Sequence, residues 1–455
     1  MKKTRQPIII LAVAALSLLC VISSCSKDKS VSTVDNGGAS MTMAIFTDPH
    51  YYDPALGTTS DAFAEYMVND RKLVPESKAI LEATVSLINA EDVEVVLVPG
   101  DLTKDGEKQC HEQVADYLAQ IEATGKKVYV VPGNHDIDNP HAYSYPDGSD
   151  PVAIPTITPA EFRQIYLDYG YDEAIAEDPA SLSYIARPKD GIWILGMDVC
   201  NYNDKFADLS KTGGAFSEAT LNWVLEKLEE AKEKNITVIG MMHHGIVEHF
   251  PGMRNVFSDY LVKDWETICT DLAEAGLKLV FTGHHHATDI AKAEGDDGFI
   301  VDVQTGSTVT WTCPYRIISL DGTSQIVNID NRVITEINYD TQGLDFQTYA
   351  QQFLMAGLPS LVVEELQKLG VDEAGAMQIE PIVTPTFAMY YHGDEPLAQD
   401  PAIMAAISQM LTDPDIMTQI LGMMLDGIWN DDTPDSDVLI NLKTGEITAQ
   451  SGNVL

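Results

Sequence analysis

Five short blocks with a shared pattern constrain the fold of this chain more than any other sequence feature. In each block an apolar run breaks, usually at a glycine, into Asp, Asn or His. The blocks are AIFTDPH (44–50), VPGD (98–101), VPGNHD (131–136), MHHG (242–245) and FTGHHH (281–286). One Asp-x-His pair alone carries little information. Five such blocks in order predict that a single site draws on all of them.

Between these blocks, apolar strand patterns alternate with helical patterns. Strands are predicted at 41–47, 93–98, 127–131, 191–197, 236–242 and 277–282, and helices at 75–90, 108–123, 159–169, 217–234 and 265–275. This alternation predicts an α/β fold with a largely parallel sheet covered on both faces. Ligand sites in such sheets lie beyond the carboxyl ends of the strands, which is where Asp48, Asp101 and Asn134 fall.

The alternation stops beyond Gly283. Segments 299–303, 315–320 and 325–329 are predicted to be consecutive strands that close a second sheet in antiparallel order. We therefore expect a core domain over 41–335, built from two packed sheets with helices outside. The region 336–455 is predicted to be mostly helical, at 346–369 and 402–429, with a hairpin at 438–448 and no readable role. Its methionines favour core packing over a lipid or partner groove.

The N-terminus has the pattern of an export signal. A basic start, an apolar run over 8–21 and the small residues before Cys25 predict a signal peptide at 1–24. The Ile-Ser-Ser-Cys sequence resembles a bacterial lipobox, which implies a lipid-modified Cys25 followed by a polar tether over 25–40. We expect an exported chain, anchored by this lipid to a bacterial membrane and facing the periplasm or the cell surface. Cleavage that leaves Cys25 as a free thiol is the alternative.

The charge balance bears on the partners of the chain. It carries 28 Lys+Arg against 69 Asp+Glu, a net charge of −41. Nucleic acid is not an expected partner, because its binding depends on neutralising phosphates with Lys and Arg. Membrane attachment would likewise depend on the acyl anchor and not on a basic patch. The cysteines beyond Cys25 are too sparse for a disulfide scaffold, and the oligomeric state is not predicted.

The polar residues of the five blocks have the chemistry of metal ligands. Several imidazoles combined with carboxylates suit a pair of borderline transition-metal ions, namely Fe, Mn or Zn, better than calcium. Asp101 offers two oxygens with which to bridge two ions, and Asn134 offers a neutral oxygen. The remaining candidate ligands are Asp48, His50, His243, His284 and His286.

A general acid is also predicted beside these ligands. Two metal ions acidify a bridging water to hydroxide and neutralise phosphate oxygens during in-line displacement. The leaving group then still needs a proton. His135 directly follows Asn134, so it sits beside the site without having to bind metal, and we expect Asp136 to hold its other ring nitrogen.

As a set, the blocks resemble the calcineurin-like metallophosphoesterase family over about residues 41 to 330. The resemblance implies a four-layer sandwich of two mixed β-sheets flanked by helices. It implies one ion on Asp48, His50, Asp101 and His286, and a second ion on Asp101, Asn134, His243 and His284. The His135 position protonates the leaving oxygen in that family.

Two positions bear on the branch within the family. Lys104 stands where purple acid phosphatases place a metal-binding Tyr, and Asp136 stands where nucleotidase-type members tend to carry Glu. The first difference disfavours the purple acid phosphatases, and the second favours the branch that resembles cyclic-nucleotide and glycerophosphodiester phosphodiesterases. The doubled His243-His244 leaves the ligand ambiguous, and we favour His243. The four histidines that lack ligand spacing are expected to make surface or ordinary polar contacts, namely His111, His141, His249 and His392.

The sequence therefore predicts a dinuclear metallophosphoesterase that hydrolyses a small phosphodiester or phosphomonoester. A binding protein that keeps the fold without turnover is one alternative, although none of its candidate ligands is degraded. A nuclease or nucleotidase acting on nucleic acid fragments is another, which the acidic balance disfavours. The residues that would select the substrate are not readable from the sequence. We expect them in the insert at 138–184 and in the tail.

Overall fold

A computed structural model describes residues 38–450, except 69, 203–204, 208, 296–297, 394–399 and 431–432. The predicted signal peptide, Cys25 and most of the predicted tether lie outside the described residues. None of the described helices is both long enough and apolar enough to span a bilayer. The four cysteines in this part of the chain are buried and free.

Strands and helices alternate through the first two thirds of the chain. The strands are β1 (Met41–Ile45), β2 (Val95–Pro99), β3 (Lys127–Val131), β4 (Tyr143–Ser144), β5 (Val152–Ala153), β6 (Ala174–Glu177), β7 (Tyr184–Lys189), β8 (Ile192–Met197), β9 (Thr237–Met242), β10 (Leu279–Thr282), β11 (Asp289–Glu294), β12 (Phe299–Gln304), β13 (Pro314–Asp321), β14 (Ile326–Val333), β15 (Val438–Asn441) and β16 (Ile447–Ala449). The α-helices are α1 (Asp61–Met67), α2 (Ser77–Ala90), α3 (Lys108–Glu122), α4 (Pro159–Ile165), α5 (Glu218–Glu233), α6 (Met253–Val256), α7 (Trp265–Ala275), α8 (Phe346–Lys368), α9 (Glu373–His392), α10 (Pro401–Met410) and α11 (Ile416–Trp429).

Two seven-stranded mixed sheets form the core. The first has the order β16-β15-β14-β13-β1-β2-β3, and the second has the order β11-β12-β10-β9-β8-β7-β6. The sheets face each other, with β2 against β9 and β3 against β8. Helices α2 and α3 pack together beside the first sheet, and α5 and α7 beside the second. The predicted α/β architecture of two mixed sheets flanked by helices is confirmed.

The parallel part of each sheet positions the site. Strands β1, β2 and β3 are mutually parallel, and so are β8, β9, β10 and β12. Strand β2 is buried along its whole length, as expected for an apolar run between covered faces. The carboxyl ends of β1, β2, β3, β9 and β10 each lead directly into one of the five sequence blocks.

The prediction that three late strands close the second sheet together is wrong. Strand β12 lies in the second sheet, where it pairs in parallel with β10. Strands β13 and β14 return to the first sheet, where β13 pairs antiparallel with β1, Met41 lying opposite Leu320. Strand patterns report burial and not pairing partners, so the sequence alone did not show this crossing between sheets.

The tail also contributes to the core domain. Its hairpin, predicted at 438–448, forms β15 and β16 and extends the first sheet beside β14. Helix α9 was not predicted, and it continues through Pro381 and Pro385, although proline normally interrupts a helix. Whether residue 335 marks a domain boundary stays a prediction.

Candidate metal centre

All seven predicted ligands lie on the turns that follow parallel strands. Asp48 and His50 follow β1, Asp101 follows β2, and Asn134 follows β3. From the second sheet, His243 directly follows β9, and His284 and His286 follow β10. The facing sheets therefore bring both sets of turns to the same edge of the sandwich, as the rule for ligand sites in parallel sheets predicts.

The side chains form two groups with one shared member. Ligand atoms of Asp48, His50, Asp101 and His286 lie within 4.8 Å of one another, and so do those of Asp101, His243 and His284. All of these residues are buried. The carboxylate of Asp101 belongs to both groups. Such an arrangement offers two adjacent cation positions.

Asn134 completes the second group. Its Oδ1 atom lies 3.0 Å from Nε2 of His243, and that imidazole nitrogen lies 3.3 Å from Oδ2 of Asp101. In the first group, Nε2 of His50 lies 3.0 Å from Nε2 of His286. Imidazole nitrogens and oxygens thus converge on each of the two positions.

The groups fit transition-metal ions on grounds beyond proximity. Oδ2 of Asp101 is buried without a hydrogen-bond partner among the described residues, although it faces the histidines. A buried carboxylate oxygen left in this way is costly unless a cation completes its surroundings. The mixed imidazole and carboxylate donors match Fe, Mn or Zn better than Mg or Ca.

The second ring nitrogens of His243 and His284 are held by neighbouring groups. Nδ1 of His243 donates to the carbonyl oxygen of Pro99 at 2.8 Å. Nε2 of His284 donates to the carbonyl oxygen of Asp259 at 3.3 Å. Contacts of this kind set the tautomer and aim the free nitrogen, as they do around bound metals.

The backbone at the site is strained. Five of the seven candidate ligands adopt positive φ angles, namely Asp48 at 49°, His50 at 36°, Asp101 at 47°, His284 at 73° and His286 at 64°. Each such residue costs on the order of 1–3 kcal/mol and persists only where the surroundings impose it. This concentration of strain on one set of side chains is typical of a functional site.

Two glycines allow the ligand turns to approach one another. A Cβ atom on Gly133 would lie 2.1 Å from Oδ1 of Asp101, and one on Gly283 would lie 2.3 Å from Oδ2 of Asp48. No side chain is tolerated at such separations. The Gly that precedes Asn134 and the Gly that precedes His284 are therefore required by the packing of the neighbouring ligand.

His135 sits at the edge of the centre, as predicted, but its partner differs from the prediction. Its ring lies edge-on to that of His50, with 4.9 Å between ring centres. Nδ1 of His135 donates to the carbonyl oxygen of Lys104 at 2.7 Å and to Oδ1 of Asp105 at 2.9 Å. Burial lowers the pKa of His135, but the negative charge of Asp101 and the hydrogen bond to Asp105 outweigh burial and raise this pKa.

The expected contact between Asp136 and the ring of His135 is wrong. The carboxylate of Asp136 turns inward and accepts hydrogen bonds from the backbone N–H groups of Leu102, Thr103 and Gly133 at 2.8–3.1 Å. The turns after β2 and β3 leave these donors unpaired, and Asp136 satisfies them. It therefore ties the two ligand turns together without touching the ring of His135.

Asp105 was missed because its contact with His135 joins residues thirty positions apart in the chain. Asp105 is buried beside the ammonium group of Lys104, with which it forms an ion pair. That ammonium lies 4.3 Å from the ring centre of Tyr66 and within 6 Å of two further Tyr rings. In the sequence, the charged residues of the segment 104–107 are visible only as a cluster. Nothing in the sequence indicates which of these side chains faces the site.

Two cations from one loop were also missed. Arg71 and Lys72 follow α1, and an ion pair of 3.7 Å joins Lys72 to Asp70. Burial first, and then the charge of Lys72, lower the pKa of His50 well below its usual value. The loop is fixed by a 2.7 Å bond from the N–H of Leu73 to the carbonyl oxygen of Val309. A lone Arg-Lys pair carries no sequence signal for this placement.

The two adjacent histidines after β9 separate clearly. His243 belongs to the ligand groups, whereas Nε2 of His244 donates to the carbonyl oxygen of Thr212 at 2.8 Å. His285 is buried and lies 3.1 Å from the hydroxyl of Tyr390 on α9. It faces the tail helix and belongs to neither ligand group.

The four histidines without ligand spacing lie apart from the ligand groups. His111 is buried and donates from Nε2 to the carbonyl oxygen of Asp136 at 2.8 Å. His249 is buried between Asp289 and Asp302, at 3.1 Å and 3.4 Å. His141 is exposed, and His392 packs against a tryptophan ring. The expectation of surface or ordinary polar contacts does not hold for His249, which lies in a buried ion cluster.

Comparison with known proteins identifies a family for this chain. The model of the calcineurin-like phosphoesterase family matches residues 41–288. Among solved structures, the chain is similar to a dimetal phosphatase from Danio rerio, with 16% identity and a TM-score of 0.47 over 65% of this chain and 97% of that one. It is also similar to the anchor in the inner membrane complex of Plasmodium, with 12% identity and a TM-score of 0.37 over 70% of this chain and 94% of that one. No curated protein sequence is significantly similar to the chain.

Proposed function

This chain belongs to the calcineurin-like phosphoesterase family, and on that premise we propose that it hydrolyses a small phosphodiester or phosphomonoester with two bound transition-metal ions and His135 as the general acid. The observation that carries the proposal is the position of Asp101. Its carboxylate is shared by two ligand groups and lies beside the one histidine that is poised to donate a proton.

The ligand groups support a division of the donors between two ions. Asp48, His50, Asp101 and His286 would hold the first ion, and Asp101 together with Asn134, His243 and His284 would hold the second. Bound in this way, the ions supply a water nucleophile at neutral pH and neutralise the charge on the phosphate oxygens. The donor chemistry favours Fe, Mn or Zn.

The protonation of the leaving group falls to His135. Because Nδ1 of His135 is occupied by Lys104 and Asp105, the nitrogen available to a substrate is Nε2. The hydrogen bond from Nδ1 to the carboxylate of Asp105 favours the protonated ring, from which a leaving oxygen would take the proton at Nε2. Asp105 stabilises the protonated ring and orients it. The backbone N–H of His135 donates to Oδ1 of Asp101 at 2.8 Å, which fixes the distance of His135 from the candidate ligands.

The experiment measures metal content and hydrolysis in the same preparation. Protein that starts at Ser26 is loaded with manganese and assayed on bis-p-nitrophenyl phosphate and p-nitrophenyl phosphate. Chelator should remove both the metal and the activity, and added manganese should restore them. Asp101→Asn should lose metal and turnover together, whereas Asp198→Asn, a buried carboxylate of the second sheet, should keep both. Full turnover after complete metal removal would refute the proposal.

The same preparation tests the two alternatives. A binding protein without turnover would retain metal and bind phosphate esters while hydrolysing none of them. A nuclease would bind polymers with an affinity that falls steeply with salt, whereas hydrolysis of a small ester depends little on salt. The net charge of −41 supports the small ester.

We also propose that the protein is exported and anchored by a lipid on Cys25, with the described part of the chain held at a membrane surface. The support is the apolar run over 8–21 and the Ile-Ser-Ser-Cys sequence. Mass spectrometry of the mature protein should find an acylated Cys25 as the first residue. An unmodified Cys25 within a longer chain would contradict this.

A further inference from the structure

A cavity of about 390 Å³ lies between the tail helices and the metal centre. It is formed by α8, α9 and α11 on one side and by the segment around Tyr260 on the other. Eleven of its twenty lining residues are aliphatic side chains or phenylalanines. Its volume falls within the range of small-molecule sites, and its lining suits an apolar group.

The cavity and the metal centre share a wall. The ring of Tyr260 lines the cavity and lies 4.6 Å from the ring of the candidate ligand His284. Asp259 also lines the cavity, and its carbonyl oxygen accepts the hydrogen bond from that ligand. His285, which stands between two candidate ligands in the chain, lines the cavity as well. A molecule that occupies the cavity therefore lies against Tyr260 and His285, which adjoin the candidate ligand His284.

Two cations line the cavity, Arg71 and Lys368, and among the described residues Lys368 has ion-pair partners whereas Arg71 has none. The guanidinium of Arg71 lies 5.7 Å from the ring centre of Tyr391, and its Nε is buried without a hydrogen-bond partner among the described residues. Among the described residues, no carboxylate lies within ion-pair distance of the Arg71 guanidinium. The two acids of the lining are engaged elsewhere, Glu365 with Lys368 at 2.9 Å and Asp259 with a serine hydroxyl.

An arginine without a carboxylate partner among the described residues is unexpected in a chain with a net charge of −41. Arg71 lines the cavity together with Tyr260 and His285, two residues of the shared wall. Arginine binds phosphate oxygens with two parallel hydrogen bonds, which makes it a suitable partner for an anionic ester next to metal ions.

We infer that the substrate is an amphiphilic phosphoester, whose alkyl chain occupies the cavity beneath the tail helices and whose phosphate binds at the metal centre beside Arg71. This inference rests on the proposed function, because it takes the metal centre to be the phosphate site. It gives the tail a role in substrate selection. The cavity is lined by Leu361, Val383 and Met424, one from each of the three tail helices.

The test compares n-alkyl phosphates of increasing length as ligands of the manganese-loaded protein. Isothermal titration calorimetry with methyl, butyl and octyl phosphate should show about fourfold tighter binding per buried methylene group until the cavity is filled. Hydrolysis of p-nitrophenyl phosphate is measured separately on the same protein. Equal affinity for all three chain lengths would overturn the inference, even if hydrolysis is observed.

Variants separate the apolar and the anionic parts of the site. Leu361→Asp places a charge in the cavity and should abolish the dependence on chain length. Met355→Asp changes an exposed position of the same helix and should preserve that dependence. Leu361→Trp, which fills the cavity without adding charge, should shorten the longest chain that gains affinity. If both Leu361 variants bind octyl phosphate as the parent protein does, the inference fails.

Arg71→Met should weaken the binding of every alkyl phosphate by a similar factor, about tenfold or more for a lost charge-assisted hydrogen bond. The gain per methylene group should be retained. Loss of the chain-length dependence in this variant, with unchanged affinity for methyl phosphate, would refute the assigned orientation. Chain-length dependence without any hydrolysis would instead reject the proposed function and leave the cavity as a binding site.

Discussion

Replacement of Asp105 by Asn tests the assignment of the acid most directly. The carboxylate of Asp105 accepts a 2.9 Å hydrogen bond from Nδ1 of His135. Asparagine keeps the size of the side chain and removes its charge. The variant therefore loses the stabilisation of the protonated ring while the candidate metal ligands keep their own contacts.

The size of the effect follows from the two acceptors at Nδ1. A hydrogen bond to a charged group contributes about 1.5–3 kcal/mol, which corresponds to a factor of about 10 to 150 in rate. The carbonyl oxygen of Lys104 still accepts from the same nitrogen at 2.7 Å, so the ring keeps its orientation. We therefore expect kcat to fall by about 10- to 40-fold for an alkyl leaving group that requires a proton.

The assay compares two leaving groups in the same variant. With p-nitrophenolate, which leaves without a proton, kcat should fall by less than about threefold. The ratio of kcat for the two leaving groups is independent of the folded fraction and of metal occupancy. These two quantities are measured in parallel by circular dichroism and metal analysis. Asp136→Asn is the matched control, because Asp136 bonds backbone N–H groups and not the ring, and it should leave the ratio unchanged. Equal losses with both leaving groups in Asp105→Asn would refute the reasoning.

Two further substitutions test the metal ligands and a buried ion cluster. His243→Asn should lower the bound metal from two ions to about one, whereas His244→Asn should keep both, as measured by metal analysis of dialysed protein. Equal metal content in the two variants would contradict the choice between the adjacent histidines. His249→Gln should destabilise the fold by about 3–5 kcal/mol near pH 6 in urea denaturation, because Asp289 and Asp302 lose their buried partner. Although burial opposes it, these carboxylates raise the pKa of His249 to about 10, so the stabilisation is complete below about pH 6.5 and declines as pH rises towards 10. A difference between parent and variant that grows with pH would be inconsistent with a charged His249.

Local sequence signals were sufficient to predict which side chains meet at the candidate metal centre. Each block combines an apolar strand with the polar residues that directly follow it, so the position of a ligand relative to its own strand is a local property. Because parallel strands end at one edge of their sheet, five local predictions combine into one site without knowledge of the pairing. The structure brings Asp48, Asp101 and His286 together in this way.

Contacts between distant residues could not be predicted by the same route. The choice between Asp105 and Asp136 as the partner of His135 depends on how the turns after β2 and β3 face each other. The adjacent Asp136 was favoured by sequence distance. However, Asp136 accepts hydrogen bonds from the backbone N–H groups of both turns. The ring of His135 therefore bonds to Asp105, which follows the neighbouring strand β2.

The sequence by itself therefore determined the class of fold, the candidate ligand residues and the kind of ion that would suit them, because these depend on residue type and on short-range periodicity. Only the tertiary structure decided that β13 and β14 return to the first sheet, that Asp105 holds His135, and that Arg71 faces an apolar cavity closed by the tail. Each of these depends on which surfaces meet when the chain packs. Burial patterns along the sequence specify that a surface is covered, but not which segment covers it.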